Sequence, residues 1–344
     1  MHAFSAADAI SPAVDRTRTL LFRPFSWGTF LKLGLVAIIT EGLSGNLNSH
    51  HGGGTTEHVP SGPALTSIPP LWTASIIAAL ALAILIGLLV FYLVTRLRFA
   101  FFHCLIHNTH EIRPGWQIYR SQALRFFWLN VMVGLAFLLV IVLIAIPFLA
   151  GFWHIFRNIP AGGHPDVLGV LGLILPLIPI ILVLVVAGML SDIVLRDWMM
   201  PHYALDDASA GEAWASVWSQ LKAEKRQFLV YAVLRLILPI LAVVALLIVL
   251  IIPGLVIAGS VGLLEYGLHS AFAGTTGSSA VIGILIQVFF GLLAFGFLLL
   301  LSICLGGPLS TALREYALVF YGGRYPALGN ILYPPPPPVT VAAS

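Results

Sequence analysis

Three histidines that follow a long apolar run are the side chains best suited to chemistry. His103 and His107 are four residues apart, so a helix would bring both rings to one face, and His110 follows closely. Cys104 and Glu111 stand beside them, and imidazole, thiolate and carboxylate groups bind zinc and other divalent ions. A metal site needs three or four ligands that are held by further hydrogen bonds. The pattern leaves two interpretations open: a metal site at these histidines, or a polar helix at a membrane interface.

A second group of histidines lies in a glycine-rich segment. His50, His51 and His58 stand near Glu57 within 43–70, a stretch without lysine or arginine. Histidine-rich tracts capture transition metals weakly. The alternative interpretation is a solvated loop that contains several histidines.

The sequence lacks the familiar catalytic signatures. It contains no Gly-x-Ser-x-Gly, no His-Glu-x-x-His and no phosphate-binding loop. An enzyme that acts on lipid head groups would need polar side chains that converge in an interfacial pocket. The chain offers His103, His107, Asp206 and Asp207 for that role. We expect no catalytic residue and no cofactor, and we keep such an enzyme as an alternative.

Arginine and tryptophan recur at regular positions along the chain. Arg98 and Trp116 return 98 residues later as Arg196 and Trp214. Arg314 follows a leucine, as Arg98 and Arg196 do. Self-similarity of this kind predicts three copies of one membrane unit. We place the copies at about 6–108, 109–207 and 208–323.

The recurring residues are typical of side chains at a membrane interface. Arginine binds lipid phosphates, and tryptophan lies at the level of the head groups. Two interpretations stay open: a binding face for anionic lipid heads or a cytoplasmic protein partner, and simple anchoring of the protein. The candidate anchors are Arg98, Trp116, Arg120, Arg125, Arg196, Trp198, Trp214, Arg314 and Tyr316.

The composition places the chain in a membrane. Hydrophobic residues make up 59% of it and charged residues only 9%, which is too little polar surface to cover a soluble globule. Six apolar segments predict transmembrane helices, and an amphipathic segment that we expect to lie in the interface precedes the first, third and fifth of them. The spans are 26–42, 71–95, 127–152, 167–194, 228–259 and 281–305.

The predicted fold is an all-α membrane protein. Its six transmembrane helices form three two-helix repeats, each with a cytoplasmic interfacial amphipathic helix. Residues 1–330 form a single membrane domain, and 331–344 form a proline-rich disordered tail. Basic residues concentrate in the N-terminus, the C-terminus and the connectors at 95–126 and 192–227. Because positive residues stay on the cytoplasmic side, we expect both termini in the cytoplasm.

Two ionisable residues lie within apolar sequence. Asp192 and Arg235 each fall one to two helical turns inside a predicted span, and the two spans are antiparallel neighbours. An isolated charge is costly in a bilayer, and arginine can bond a carboxylate through two parallel N–H groups. Asp192 and Arg235 are therefore candidates for an ion pair, and the alternative is that Arg235 extends to a lipid phosphate.

Four segments carry a resemblance to a known family. They are LLFRPFSWGTFLKLGL from residue 20, RLRFAFFHC from 96, MMPHYALDD from 199 and LGGPLSTALREY from 305. The chain resembles a family of bacterial multi-pass membrane proteins related to the membrane domain of glycerophosphoryl diester phosphodiesterases. The resemblance implies a six-span bundle in a bacterial inner membrane, without the catalytic barrel of those phosphodiesterases.

These features predict a non-enzymatic protein of the inner membrane, a binding, scaffold or transport-accessory component that interacts with lipids. The spans have few polar side chains at mid-depth, which argues against ion or sugar transport and leaves a transporter of lipid or apolar cargo as an alternative. The expected partners are anionic lipid heads on the cytoplasmic side and either another protein or a second copy of the chain. The 17 lysines and arginines are not gathered in a patch, so we expect no nucleic acid.

Overall fold

The computed structural model of the chain describes residues 4–42, 70–157, 167–272 and 278–334. Within those ranges every regular element is a helix, which confirms the all-α class. The histidines of the glycine-rich segment and most of the proline-rich tail lie outside the described residues.

The described residues form twelve α-helices and two short π-helical turns. The π turns are Ile38–Gly42 and Val194–Met199. The α-helices are α1 Ile10–Phe22, α2 Trp27–Ala37, α3 Pro70–His107, α4 Ile112–Ile118, α5 Arg120–Arg157, α6 Val167–Ile174, α7 Leu177–Ile193, α8 Met200–Leu205, α9 Ala210–Ala223, α10 Lys225–Phe272, α11 Ser278–Gly322 and α12 Pro326–Leu332.

Five stretches of helix in the described chain are long and apolar enough to cross a membrane. They match the second to sixth predicted spans and extend beyond several of them. Their bounds are Ser75–His107, Arg120–Ile155, Val167–Leu205, Lys225–Leu264 and Val281–Gly322. The protein is therefore a multi-pass helical membrane protein.

The predicted first span is helical but short in the described residues. It consists of α2 and the π turn that ends at Gly42. At ~1.5 Å per residue this helix spans about 24 Å, less than the ~30 Å of a hydrocarbon core. Its last residues, Thr40 and Glu41, already contact arginines from the other helices. The count of six spans stays a prediction.

The buried core lies where the long helices extend past their most apolar stretches. We call this region the packed end, and most of its buried residues lie within 99–106, 195–204, 228–235 and 314–321. Aromatic rings fill it, with Tyr231 stacked between Phe320 at 4.3 Å and Tyr316 at 5.2 Å between ring centroids. Helix α1, whose buried residues include Ala13, Leu20 and Leu21, packs against α11.

The remaining parts of the long helices carry almost no buried residues. We call 75–90, 135–155, 167–190, 237–264 and 284–300 the bare spans. Their leucines, isoleucines and valines are mostly exposed, for example Ile77 at 67% and Ile252 at 72%. Apolar surface of this extent is suited to a bilayer and not to water.

Two residues in the left-handed backbone region turn the chain out of the packed end. Asn108, with φ 50°, follows α3, and Asp207, with φ 51°, follows α8. Asn and Asp tolerate this conformation better than other residues with a Cβ. The turn after Asp207 leads directly into α9, which Ser209 caps. Each turn therefore ends one helix and redirects the chain into the next.

Candidate functional site

A cluster of ion pairs is buried at the centre of the packed end. The carboxylate of Asp197, only 1% exposed, accepts from Arg235 Nε at 3.0 Å and from Tyr231 Oη at 2.8 Å. Its other oxygen accepts from Arg314 Nη1 at 2.8 Å. One carboxylate on the π turn after α7 thus joins α10 and α11.

Glu41 gives the cluster a second buried carboxylate. It lies 2.7 Å from Arg196 Nη2 and 3.1 Å from Arg235 Nη2. The carbonyl oxygen of Thr40 accepts from Arg98 Nε at 3.2 Å and from Arg196 at 3.4 Å. The end of the predicted first span is thereby bonded to α3 and to the π turn after α7.

The cluster assembles the helices. A buried ion pair gains little over apolar packing, but removal of one partner leaves an uncompensated charge. The guanidinium group of Arg235 has three partners. It bonds Asp197, Glu41 and the carbonyl oxygen of Leu313, the last at 2.9 Å. The helices that supply these groups are fixed relative to one another.

Five predicted interface anchors lie inside this core and do not face lipid, which corrects the prediction. Arg98, Arg196 and Arg314 are 7%, 4% and 3% exposed. Trp198 packs edge-on against Phe228, and Tyr316 stacks on Tyr231. The physical reason is that the leucine-arginine segments pack against one another, where Glu41 and Asp197 neutralise their arginines. The list of buried anchors is Arg98, Arg196, Trp198, Arg314 and Tyr316.

Asp192 and Arg235, the predicted candidates for an ion pair, each bond to other residues. Asp192 pairs with Arg196 at 2.9 Å, one helical turn further along the same chain segment. The side chain of Asp192 is 45% exposed, whereas Arg235 is buried against Asp197 and Glu41. The local partner of Asp192 is nearer because residues four apart share a helix face.

The other four predicted anchors keep surface positions. Arg120 and Arg125 are exposed, and Trp214 is 47% exposed. Trp116 is half-buried beneath the guanidinium of Arg96, which lies 4.4 Å from its ring centroid. These four residues therefore remain candidates for contact with lipid.

The three candidate metal-binding histidines do not converge. His103 and His107 lie together with ring centroids 4.5 Å apart, but His110 Nε2 lies 2.9 Å from the carbonyl oxygen of Leu20. The residues that the structure describes contain no group of three or more side chains that could hold a metal ion. The two aspartates considered with them bond to other residues, Asp206 to His202 and Asp207 to Arg125.

A buried histidine that the sequence patterns did not single out links α8 to the end of α11. His202 Nδ1 lies 3.2 Å from a carboxylate oxygen of Asp206, and its Nε2 lies 2.8 Å from Tyr321 Oη. Tyr325 donates to the same Asp206 oxygen. Burial, and then this carboxylate, raises the pKa of Tyr325 above its usual range. Tyr325 therefore remains a protonated donor at neutral pH and holds Asp206 in place.

An apolar cavity of about 320 Å³ lies beside the packed end. It is partly open, and Trp214 and Leu190, which is 40% exposed, stand at its surface. Helix α5, the end of α7 with its π turn, and the start of α9 enclose it. The lining residues are Leu129, Val133, Leu190, Ser191, Val194, Leu195, Met199, Ala210 and Trp214.

An exposed ion pair lies close in sequence to two walls of this cavity, and we call its position the cavity rim. Arg125 pairs with the carboxylate of Asp207, and the two side chains are 42% and 65% exposed. Arg125 is one helical turn before Leu129 on α5, and Asp207 is three residues before Ala210. Both chain segments that carry the pair thus lead directly into the cavity wall.

The fold and its bare spans define a multi-span, all-helical membrane protein. The chain belongs to a family of unknown function, DUF7544, whose model matches residues 4–331. No curated protein and no solved structure matches it. Membership of this family brings no activity with it, and the resemblance to phosphodiesterase membrane domains stays a prediction.

Proposed function

We propose that this protein is a non-enzymatic lipid-binding component of the bacterial inner membrane, which holds the acyl chain of a phospholipid in the cavity between α5 and α7. The observation that carries this proposal is the apolar cavity of about 320 Å³. Ser191 is the one lining residue with a polar side chain apart from the indole of Trp214.

The position of the cavity favours a lipid over a soluble ligand. Two of its walls, α5 and the segment that contains α7, belong to stretches of helix long and apolar enough to cross a membrane. A bilayer surrounds such helices with acyl chains, so an open apolar cavity there meets hydrocarbon first. Lipid tails are as apolar as leucine, so burial alone gives little selectivity in a membrane. Selection of one lipid then depends on its head group.

Arg125 supplies the polar contact that a phospholipid needs. Arg125, Leu129 and Val133 are spaced by four residues on α5, so they share one face of the helix. A lipid whose acyl chain contacts Leu129 and Val133 has its phosphate near Arg125. Guanidinium groups bond phosphate oxygens through two parallel N–H groups. The face therefore matches a phospholipid in the order head group, then tail.

The packed end also indicates how the protein is oriented in the membrane. We propose that the packed end and the cavity rim face the cytoplasm, with six spans in three repeats. Arg98, Arg196 and Arg314 support the repeat because each follows a leucine and each enters the same buried cluster. Basic residues near a span favour the cytoplasmic side.

Native mass spectrometry of the protein in mild detergent tests the lipid proposal. The protein is reconstituted in equal amounts of dioleoyl phosphatidylethanolamine and dioleoyl phosphatidylglycerol, then extracted gently. We expect one retained phospholipid with the wild type and a large loss with Leu129→Trp, because the indole fills the cavity. Leu135→Trp is the matched control, since Leu135 lies on the same helix, is 59% exposed and does not line the cavity.

Equal retention by wild type, Leu129→Trp and Leu135→Trp would overturn the proposal. Ala210→Phe provides a second way to fill the cavity from α9 if Leu129→Trp does not fold. Melting temperatures of all variants show whether each is folded when lipid is measured.

A further inference from the structure

We infer that the bound lipid carries a zwitterionic head group with a primary ammonium, as in phosphoethanolamine, because the cavity rim presents one exposed positive and one exposed negative side chain as a pair. This inference rests on the proposed binding of a phospholipid in the cavity. It adds a residue that selects the head group, Asp207, to the phosphate-binding Arg125.

The two charges of the rim are both accessible. Arg125 Nη2 contacts Asp207 Oδ1, and the Asp207 side chain is the more exposed of the two at 65%. An exposed ion pair is weak in water because solvent screens it and both side chains lose freedom. A ligand that satisfies both charges can replace it at little cost.

The geometry of the rim places the pair at the level of a head group. The side chain of Arg125 leaves α5 about one helical turn, roughly 5.4 Å, before Leu129 in the cavity wall. The carboxylate group starts three residues before Ala210, which forms the opposite wall. A head group above a tail in this cavity therefore meets both side chains.

The chemistry of the two side chains favours one class of head group. A phosphate bonds Arg125, and a primary ammonium has three N–H donors for Asp207. A glycerol head group has hydroxyl donors for Asp207 but no positive charge, so it leaves the charge of the carboxylate uncompensated. A choline head group is positive but has no N–H donor. Among these three head groups, phosphoethanolamine alone offers Asp207 both a positive charge and N–H donors, and charge-assisted bonds are the stronger ones.

The position of Asp207 is fixed by the backbone turn to which it belongs. Its φ of 51° belongs to a turn in which the preceding residue, Asp206, is bonded by His202 and Tyr325. Asparagine adopts this backbone conformation as readily as aspartate does. Asp207→Asn therefore removes the charge and keeps the turn.

The ratio of the two retained lipids tests the inference. Wild type in the equal mixture should retain phosphatidylethanolamine in excess over phosphatidylglycerol. Asp207→Asn should lower that ratio about fivefold, which corresponds to ~1 kcal/mol, without lowering the total lipid retained. Arg125→Gln should lower the retention of both lipids, because both carry the phosphate. Asp15→Asn is the control, since it removes an exposed carboxylate from α1 and not from the rim.

The outcomes separate the inference from the proposed function. An unchanged ratio in Asp207→Asn, while Leu129→Trp still loses its lipid, overturns the head-group inference alone. Retention that is the same in Leu129→Trp as in wild type overturns the proposed function itself. A wild type that prefers phosphatidylglycerol also contradicts the role of Asp207.

Discussion

The packed end and the bare spans are parts of the same helices, yet different forces act on them. Helix α11 shows both in one element. A Cβ added at Gly307 would lie 2.6 Å from the Cα of Gly34 in α2, whereas one added at Gly291 or Gly296 would meet nothing within 4 Å. The helix therefore contacts the backbone of α2 at Gly307, whereas Gly291 and Gly296 face open space.

The difference teaches what assembles helices in a bilayer. Apolar side chains gain little when they leave lipid for another helix, so close backbone contacts and polar bonds do most of the assembly. In this protein the polar bonds converge on Asp197 and Glu41. The packed end therefore fixes the fold, and the bare spans remain available to lipid.

The largest expected effect comes from the centre of the ion-pair cluster. Asp197→Asn removes the negative charge that Arg235 and Arg314 share, and it leaves two buried guanidinium groups without it. Loss of one member of a buried network costs about 3–5 kcal/mol. Thermal unfolding in detergent should show a large fall in the melting temperature.

Asp192→Asn is the matched control for that substitution. Its carboxylate is 45% exposed and pairs with Arg196 at the edge of the cluster, so its loss should cost about 1 kcal/mol or less. The combination of Asp197→Asn with Arg235→Gln should cost less than the sum of the two. Asp192→Asn with Arg235→Gln should depart less from additivity, because Asp192 bonds Arg196 rather than Arg235. Equal losses for Asp192→Asn and Asp197→Asn would remove the distinction between the core of the cluster and its edge.

The next effect compares two glycines of α11. Gly307→Ala forces a methyl group against the backbone of α2 and should destabilise the protein by about 1–3 kcal/mol. Gly291→Ala meets open space and should be neutral or stabilise the helix by up to about 1 kcal/mol. Melting temperatures of both variants measure the difference. If both substitutions had the same sign and size, the bare spans would be packed against something in the purified protein.

Local patterns were enough to predict most of the helices. Apolar length predicted the five long helical stretches, and an amphipathic pattern predicted a further segment before the fifth span, where α9 lies. These features depend on residues that are neighbours in sequence. Helix α2 was harder, because Lys32 and the short apolar run do not reveal where the helix ends.

The binding partners of the arginines could not be predicted from local patterns. A leucine-arginine segment at the end of a span looks the same whether its guanidinium reaches lipid phosphate or a buried carboxylate on another helix. Arg196 meets Glu41 only because the fold brings α2 to the π turn after α7. One signal was present: Glu41 and Asp197 are acidic residues next to apolar sequence, and acids at such positions need cationic partners.

The smallest expected effect lies at the start of α9, outside the cluster. Ser209 caps this helix, because its hydroxyl accepts from Glu212 N and its own N–H donates to the Glu212 carboxylate at 2.8 Å. Ser209→Ala should destabilise the helix by about 1 kcal/mol or less. Hydrogen exchange of residues 210–214 measures this local opening. Ser219→Ala, further along the same helix, is the control and should leave that exchange unchanged.

The contribution of this cap should depend on pH. Hydrogen bonds from the backbone and then the side chain of Ser209 hold the pKa of Glu212 below its usual value of 4.5. A lowered pKa means that the folded state is stabilised above pH 4.5 and that this gain is lost as the pH falls through the lowered value. The difference between wild type and Ser209→Ala should therefore shrink under acid conditions. A difference that grows on acidification would contradict the capping role of the Glu212 carboxylate.

A photoreactive lipid tests most directly whether one cavity binds lipid while the bare spans only contact it. Phosphatidylethanolamine with a diazirine in its acyl chain is incorporated into vesicles with the protein, activated by light, and its cross-links are mapped by peptide mass spectrometry. We predict that cross-links concentrate on 129–133, 190–199 and 210–214 and that excess unlabelled phosphatidylethanolamine reduces them. Cross-links spread evenly along 75–90, 237–264 and the other bare spans, without excess at the cavity, would contradict the account.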